Sequence, residues 1–387
     1  MTEARFDVVV VGTGPVGLSL AAALGLAGLD VALVGSTPAG SRKEPWAGRV
    51  YALAPRSRAF LDAMGVWADI DVRSVQPCVA MEVHGDRGGA IRFAAYDVAV
   101  PALAYLVSES ALEQALWARC RGGAGVRLHA AGFTALENLE AGVAVSLENG
   151  ERLRCQLLVG ADGADSRVRQ AAGFHVSKAP YDQHALVGAF ECERAHGGAA
   201  FQWFRHPDVL AYLPLPDRKI SVVWSMPSAR ARALLDVPSG ELADQVQLAG
   251  NGRLGSLTAV ARQRAFGLSR LRVRQPACAR VALVGDAAHV VHPLAGLGVN
   301  LGFQDAEVLA KSIGIRDVFR DCGDARILDL YVRSRAEDIL AAGMVTHGLQ
   351  ALFSAHGPAV ARIRNSGLNA VDRLSVLKSA LTRRALG

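Results

Sequence analysis

The chain has 387 residues, 51% hydrophobic and 20% charged, which is enough for two closely packed domains. The formal net charge of +6 rests on arginine, since only five of the 42 basic residues are lysine, and no basic run is interleaved with aromatics; that pattern excludes nucleic acid as a partner. Six cysteines (Cys78, Cys120, Cys155, Cys192, Cys278, Cys322) stand apart with no CxxC pair, which argues against a disulfide framework or a zinc site and points to a reducing, cytoplasmic compartment.

In chain order, Phe6–Val11 reads as a parallel strand. Gly12-Thr-Gly14-Pro15-Val16-Gly17 follows at once, Leu18 to Leu29 reads as a helix rich in small residues, and Val31 to Val34 as the next strand. Strand, glycine turn and helix in this register form a dinucleotide fingerprint, in which the glycines permit a tight turn and a close approach of backbone to a pyrophosphate. Residues 8–29 carry no charge and are long enough for a membrane span, but the glycines and Pro15 break the run at mid-length. Glu3 and Asp7 spoil the basic start of a secretory signal.

A second strand-turn-helix step runs from Leu157 to Arg169 through Asp162-Gly163. A lone Asp-Gly is an ordinary turn; here an apolar strand precedes it, and Arg167 and Arg169 follow, either to pair with phosphate or as solvated helix residues. His184–Glu193, Ala200–Phe204, Val209–Leu213 and Ile220–Met226 read as strands of an antiparallel sheet. Its Trp203, Phe204, Tyr212 and Trp224 either line a hydrophobic chamber or are ordinary sheet packing.

A third step is the most informative. Arg280-Val-Ala-Leu-Val ends in Gly285-Asp286, and Pro293, Gly296, Leu297, Gly298, Val299 and Asn300 then lead into a helix containing Asp305. Asp286, His289 and His292 stand three apart, but a strand-to-turn step followed by Pro293 splays them, so no metal site is assigned. The amides from Gly296 to Asn300 lie free at a helix start, where negative charge is favoured. After Asp305 the chain reads helical to its end. From Val360, apolar residues recur at Ile363, Gly367, Val371, Leu374, Leu377 and Leu381, while Arg362, Arg364, Arg373, Lys378, Arg383 and Arg384 face only Asp372. Such a basic amphipathic helix suits anionic lipid or a partner protein, or packs on its own domain.

Taken together, these motifs resemble those of the FAD-dependent aromatic hydroxylases, the class A flavin monooxygenases. The run His292-Pro293-Leu-Ala-Gly296-x-Gly298-x-Asn300-x-Gly302-x-x-Asp305 looks like their ubiquinone-biosynthesis branch, and Arg49-Val-Tyr-Ala52-Leu53 through Trp67 is similar to that family's segment after the second strand. The resemblance covers essentially the whole chain. It implies an α/β fold: a discontinuous Rossmann-like FAD-binding domain with an inserted antiparallel-sheet substrate domain and a helical C-terminus. The FAD-binding domain would comprise residues 1–75, 101–178 and 271–325, the substrate domain 76–100 and 179–270, and the C-terminal helical region 326–387.

The resemblance further implies that Gly12, Gly14, Pro15, Val16, Gly17, Arg49, Asp162, Gly163, Gly285 and Asp286 hold FAD. Pro293, Gly296, Gly298, Val299 and Asn300 would hold the isoalloxazine edge, whose reduced form carries negative charge. NAD(P)H would be the co-substrate, with no second GxGxxG expected, and a flavin C4a-hydroperoxide would hydroxylate a hydrophobic phenol with O2. Missing motifs argue against Baeyer–Villiger oxidases, disulfide reductases and halogenases. No general base is assigned. Alternatives are a hydroxylase of another phenolic or polyketide substrate, or a non-catalytic scaffold of a biosynthetic complex, and a homo-oligomer or a peripheral place on the inner membrane face fits either.

Four positions depart from the family pattern. Gly35 stands where the ribose carboxylate is usual, Ala47 where Asp is, Ser110 where Arg is, and Leu297 where Gln is. Each removes a polar contact, and a charged hydrogen bond is worth about 1.5–3 kcal/mol. FAD is therefore expected to bind loosely, by about tenfold or more for the missing carboxylate alone.

Overall fold

The computed structural model describes residues 4–37, 46, 48–86, 88–123, 125–205, 207–260, 262–292, 296–354, 378, 382 and 383. Its first sheet runs in the order Ala277–Cys278, Val281–Leu283, Arg152–Gly160, Ala4–Val11, Val31–Val34, Val126–His129. From Val281–Leu283 onward every neighbouring pair is parallel. The valines at 8–11 are buried because both faces are covered. One face packs against helices α1 (Pro15–Leu26), α3 (Glu109–Gly122), α7 (Leu297–Gly314) and α8 (Ala325–Ser354), numbered here with α2 (Pro55–Ala63), α4 (Arg167–Ala171), α5 (Ser228–Asp236) and α6 (Ser239–Ala249). The other packs against the hairpin Phe133–Leu139/Gly142–Leu147.

The register fixes the site. Val11 lies opposite both Val34 and Gly160, and Gly160 opposite Leu283. All three strand-turn-helix steps therefore leave the sheet at one carboxyl edge, where open α/β sheets bind their ligands. Helix α1 starts at Pro15, three residues earlier than the periodicity predicts, since proline at the first helical position loses no hydrogen bond. It also ends earlier, at Leu26, with Gly28 left-handed (φ 80°) just beyond it.

The second sheet contains the four expected strands, observed as Val176–Cys192, Ala199–Arg205, Asp208–Leu215 and Lys219–Pro227. Ala80–His84 joins it parallel to Ala199–Arg205, so it is not wholly antiparallel. Side-chain parity settles the aromatic question. Trp203, Tyr212 and Trp224 point with Leu186, Phe190 and Val222 into a core closed by α5 and α6, and Phe204 packs against Val83 and Ile91. These aromatics are packing.

The opposite face turns to a small sheet, Val50–Leu53, Ala104–Ser108 and Val75–Cys78, through Ala189, Ala200, Leu213 and Leu215. On that face Val187, Val209, Ala211, Leu213, Ser221 and Val223 remain half-buried. The amphipathic tail lies outside the described residues except for Lys378, Thr382 and Arg383. Lys378 is helical, and its ammonium lies 3.8 Å from Asp97.

Tyr212 tests the parity assignment. Its hydroxyl donates to the Val246 carbonyl at 2.6 Å in full burial. Tyr212→Phe is expected to lower stability by about 1–3 kcal/mol in urea unfolding and to leave FAD affinity unchanged.

Candidate active site

The glycine turn after the first strand is built tightly on one side and open on the other. A Cβ on Gly12 would stand 2.2 Å from the Ala161 carbonyl oxygen, and one on Gly17 would stand 2.0 Å from that of Gly12. Gly14 faces open space, with nothing within 4 Å of where its Cβ would be. Helix α1 begins there with no capping side chain and no acidic residue in its first turn. Its positive end is bare, as an anion site requires. Val16 is a buttress: its side chain fills the gap below Gly285 and Gly302.

Gly35 is occupied differently from the expectation. Its φ is +155°, and a Cβ would meet Thr13 Cγ2 at 2.7 Å, while Thr13 Oγ1 donates to the Ser36 carbonyl. A carboxylate side chain at this position would therefore need Thr13 to move and the backbone to change.

At the second step, Asp162 turns its carboxylate inward. Oδ1 accepts from the Ser166 hydroxyl at 2.5 Å and Oδ2 from the Val168 amide at 3.1 Å, which secures the start of α4. Gly163 takes the left-handed conformation (φ 81°) that this turn needs. Arg169 is neither a phosphate ligand nor a solvated helix residue. It is 4% exposed and donates to the carbonyls of Ala287 (2.9 Å) and Ala164 (2.7 Å), which staples the second step to the third. Arg167 lies on the surface beside Glu148.

The Gly285–Ala287 turn is gripped from below by Asp305 of α7. Its Oδ2 accepts from the Gly285 amide (2.9 Å) and from His289 Nε2 (2.6 Å), and its Oδ1 from Arg335 Nε of α8 (2.8 Å). Asp305 and Arg335 are both fully buried. Burial opposes ionisation of Asp305, but His289 and Arg335 outweigh it and hold the carboxyl below its usual range. Asp286, between the two gripped points, is exposed. Desolvation by the protein around it nevertheless raises its pKa against the opposing charges of Arg49 and His289.

Arg49, on the chain leading into Val50–Leu53, is exposed, and its charge acts on the Asp286 carboxyl. Its guanidinium lies 5.2 Å from the Tyr51 ring centroid, and its carbonyl accepts from the Glu109 amide (2.9 Å), one residue before Ser110. Burial and the Glu109 carboxylate outweigh Arg49 and push the Tyr51 hydroxyl far above its ordinary pKa. Gly296 is left-handed (φ 61°) at the start of α7, and Gly298 faces open space. Val299 packs into the core.

Asn300 is wholly committed to the framework. It accepts from the Ala54 amide and the Ser57 hydroxyl, and it donates to the carbonyls of Ala52 and Gly296. That leaves its side chain no bond for a ligand and makes it the clasp between α7 and the Arg49 segment. Pro293, Ala47 and the Leu297 side chain lie outside the described residues.

The structure thus brings Gly12–Gly17, Arg49, Gly285–Asp286 and Gly296–Asn300 to one edge, with the Asp162 turn behind them. The turn that faces open space at Gly14 and the uncapped helix start beside it fit the pyrophosphate of FAD. The chain belongs to the FAD binding domain family, which matches residues 5–344. It is 34% identical to the 3-demethoxyubiquinol 3-hydroxylase of Escherichia coli over all of both chains, and 34% identical to the ubiquinone hydroxylase UbiL of Rhodospirillum rubrum over 98% of this chain and 89% of that protein. Among solved structures, the probable FAD-dependent monooxygenase PqsL of Pseudomonas aeruginosa superposes with TM-score 0.79 at 25% identity, covering 94% of this chain and 99% of that one. The chain is an FAD-dependent monooxygenase with NAD(P)H as co-substrate.

Two outcomes follow from this geometry. Gly35→Glu, placed where the family carries its carboxylate, is expected not to tighten FAD and to cost on the order of 1–3 kcal/mol of stability through backbone strain and the clash with Thr13. A fluorescence titration together with a urea curve reads both, and tighter binding at unchanged stability refutes it.

His292 sets an acid limit. It is 1% exposed, donates to Gln183 Oε1 at 3.2 Å and packs edge-on to Tyr181, and burial pushes its pKa down to about 4. A histidine kept neutral by the fold contributes its full stability above the unfolded pKa near 6.5 and loses it as pH falls toward 4, by on the order of 3 kcal/mol. Comparing His292→Gln with the parent at pH 7 and pH 4.5 isolates this loss.

Proposed function

We propose that this monooxygenase hydroxylates the ring of a prenylated phenol in ubiquinone formation, taking over the substrate class of its E. coli and R. rubrum relatives. The observation that carries the reading is the half-buried apolar face of the second sheet, which turns toward the small sheet that follows Arg49. Bound FAD would accept reducing equivalents from NAD(P)H and activate O2 for transfer of one oxygen atom to the ring. In this reading Gly12, Gly14, Pro15 and Gly17 with the α1 start hold the pyrophosphate. Arg49, Gly285 and Asp286 hold the ribityl side, and the backbone from Pro293 and Gly296 through Gly298, Val299 and Asn300 takes the isoalloxazine edge. Val16, Asp162, Gly163 and the Asn300 side chain support these turns from behind.

The half-buried Val187, Val209, Ala211, Leu213 and Val223 would receive the substrate. Their apolar side chains would shield a ring with a hydrophobic substituent from water. The domain division expected from the sequence belongs to this proposal, as does a peripheral place on the membrane through the basic tail. No helix among the described residues is long and apolar enough to cross a membrane. The ion pair of Lys378 with Asp97 favours the tail lying at least partly on the protein's own body.

The reading is tested with FAD, NAD(P)H, 18O2 and a short-chain prenylated phenol. One 18O atom in the phenolic product is expected, and hydroxylation of benzoates but not of prenylated phenols would move the substrate class. Ala211→Phe should lower kcat/KM for the prenylated phenol by about tenfold or more, since overpacking costs about 1–3 kcal/mol, with FAD affinity unchanged.

A further inference from the structure

We infer that Arg335, on α8 and outside every motif of the sequence, is a positioning residue for Asp286 and through it for FAD. This inference rests on the reading of Asp286 as a cofactor contact.

Asp286 sits on a short turn with two fixed points, the Gly285 amide and the His289 ring, and both are held by the same oxygen of Asp305. The aim of Asp286 is therefore set by where the Asp305 carboxylate stands. Asp305 belongs to α7, but its second oxygen is held from α8, by Arg335 Nε at 2.8 Å. Arg335 in turn has little freedom. Its side chain is 0% exposed, Nη1 donates to Asp338 at 2.6 Å, and Nη2 reaches the Leu301 carbonyl at 3.4 Å. A guanidinium with three directed contacts is a rigid fork, whereas a lysine ammonium at the same place is a point charge on a flexible stem. Arg335→Lys thus keeps the charge and loses the geometry, so it separates positioning from neutralisation.

A neighbouring bond supplies the structural control. Tyr331, one turn earlier on α8, donates its hydroxyl to the Leu283 carbonyl at 2.7 Å, two residues before Gly285. It pins the same helix to the same strand, and its hydroxyl bonds to the Leu283 carbonyl rather than to Asp305. If α8 matters to the site only by packing, Tyr331→Phe and Arg335→Lys should act alike.

The experiment measures the FAD Kd by flavin fluorescence, the visible absorption bands of bound FAD and the urea midpoint. The variants are Arg335→Lys, Tyr331→Phe, Asp286→Asn and the double variant Arg335→Lys/Asp286→Asn, each at a temperature where circular dichroism shows it folded. Both α8 variants are expected to lower the urea midpoint. Only Arg335→Lys should also weaken FAD, by about tenfold as for one misplaced charged hydrogen bond, and shift the flavin bands. The double variant should bind FAD no more weakly than Asp286→Asn alone, because a residue acting through Asp286 has nothing left to position. Equal FAD affinity in Arg335→Lys and Tyr331→Phe overturns the inference, as do additive effects in the double variant. Full-strength binding by Asp286→Asn overturns the underlying reading of Asp286 and the inference with it. Should Arg335→Lys fail to fold, Asp305→Asn takes its place in the same comparison, since it keeps the shape and weakens the same grip.

Discussion

A single buried carboxylate holds the cofactor edge together. Asp305 has no access to water, and taking an ion out of water costs several kcal/mol unless partners compensate. Its compensation comes from three separate places: the amide that opens the Gly285 turn, the imidazole that closes it, and a guanidinium from the next helix. Removing one partner of such a buried group costs about 3–5 kcal/mol, because the charge stays behind uncompensated. The turn, α7 and α8 are therefore not independently adjustable. Arg169 extends the constraint to the neighbouring strand by bonding to Ala287, so the second and third turns move together or not at all.

What was legible in the sequence was what depends on local chemistry. The parallel strands follow from unbroken apolar runs, and the glycine positions from the need for backbone to pass close to backbone at Gly12 and Gly17. The free helix starts follow from proline and glycine at the right offsets. Family resemblance then grouped Arg49 and Asp286 although 237 positions of numbering separate them, and in the structure the Arg49 charge acts on the Asp286 carboxyl.

What the sequence did not disclose depends on partners far along the chain. Asp162 was singled out by its Asp-Gly motif and Asn300 by the turn it closes; the structure adds that each side chain bonds within the framework. Gly35 looked like a deletion of function, yet Thr13 leaves no room for a side chain there. The four aromatics of the second sheet could be chamber or packing because alternation alone does not say which face meets which neighbour; α5 and α6 decide that for Trp203, Tyr212 and Trp224, and Val83 and Ile91 for Phe204. Arg335 carried no signal at all. It is one arginine among many, and only its burial against Asp305 distinguishes it. A fully buried arginine pairs with something, and Asp305 within the Gly-rich run was the one trace of that need in the sequence.

The order of strands in the first sheet has a consequence for biosynthesis. Ala4–Val11 is made first, yet its partner on one side is Arg152–Gly160, whose own partner is Val281–Leu283. The turn after that last strand is completed only when α8 has emerged to supply Arg335. Such non-local pairing forms late and leaves apolar strand edges exposed while the ribosome is still translating. A nascent chain can thus display the glycine turn of the first strand long before it has a floor on which to lay a flavin.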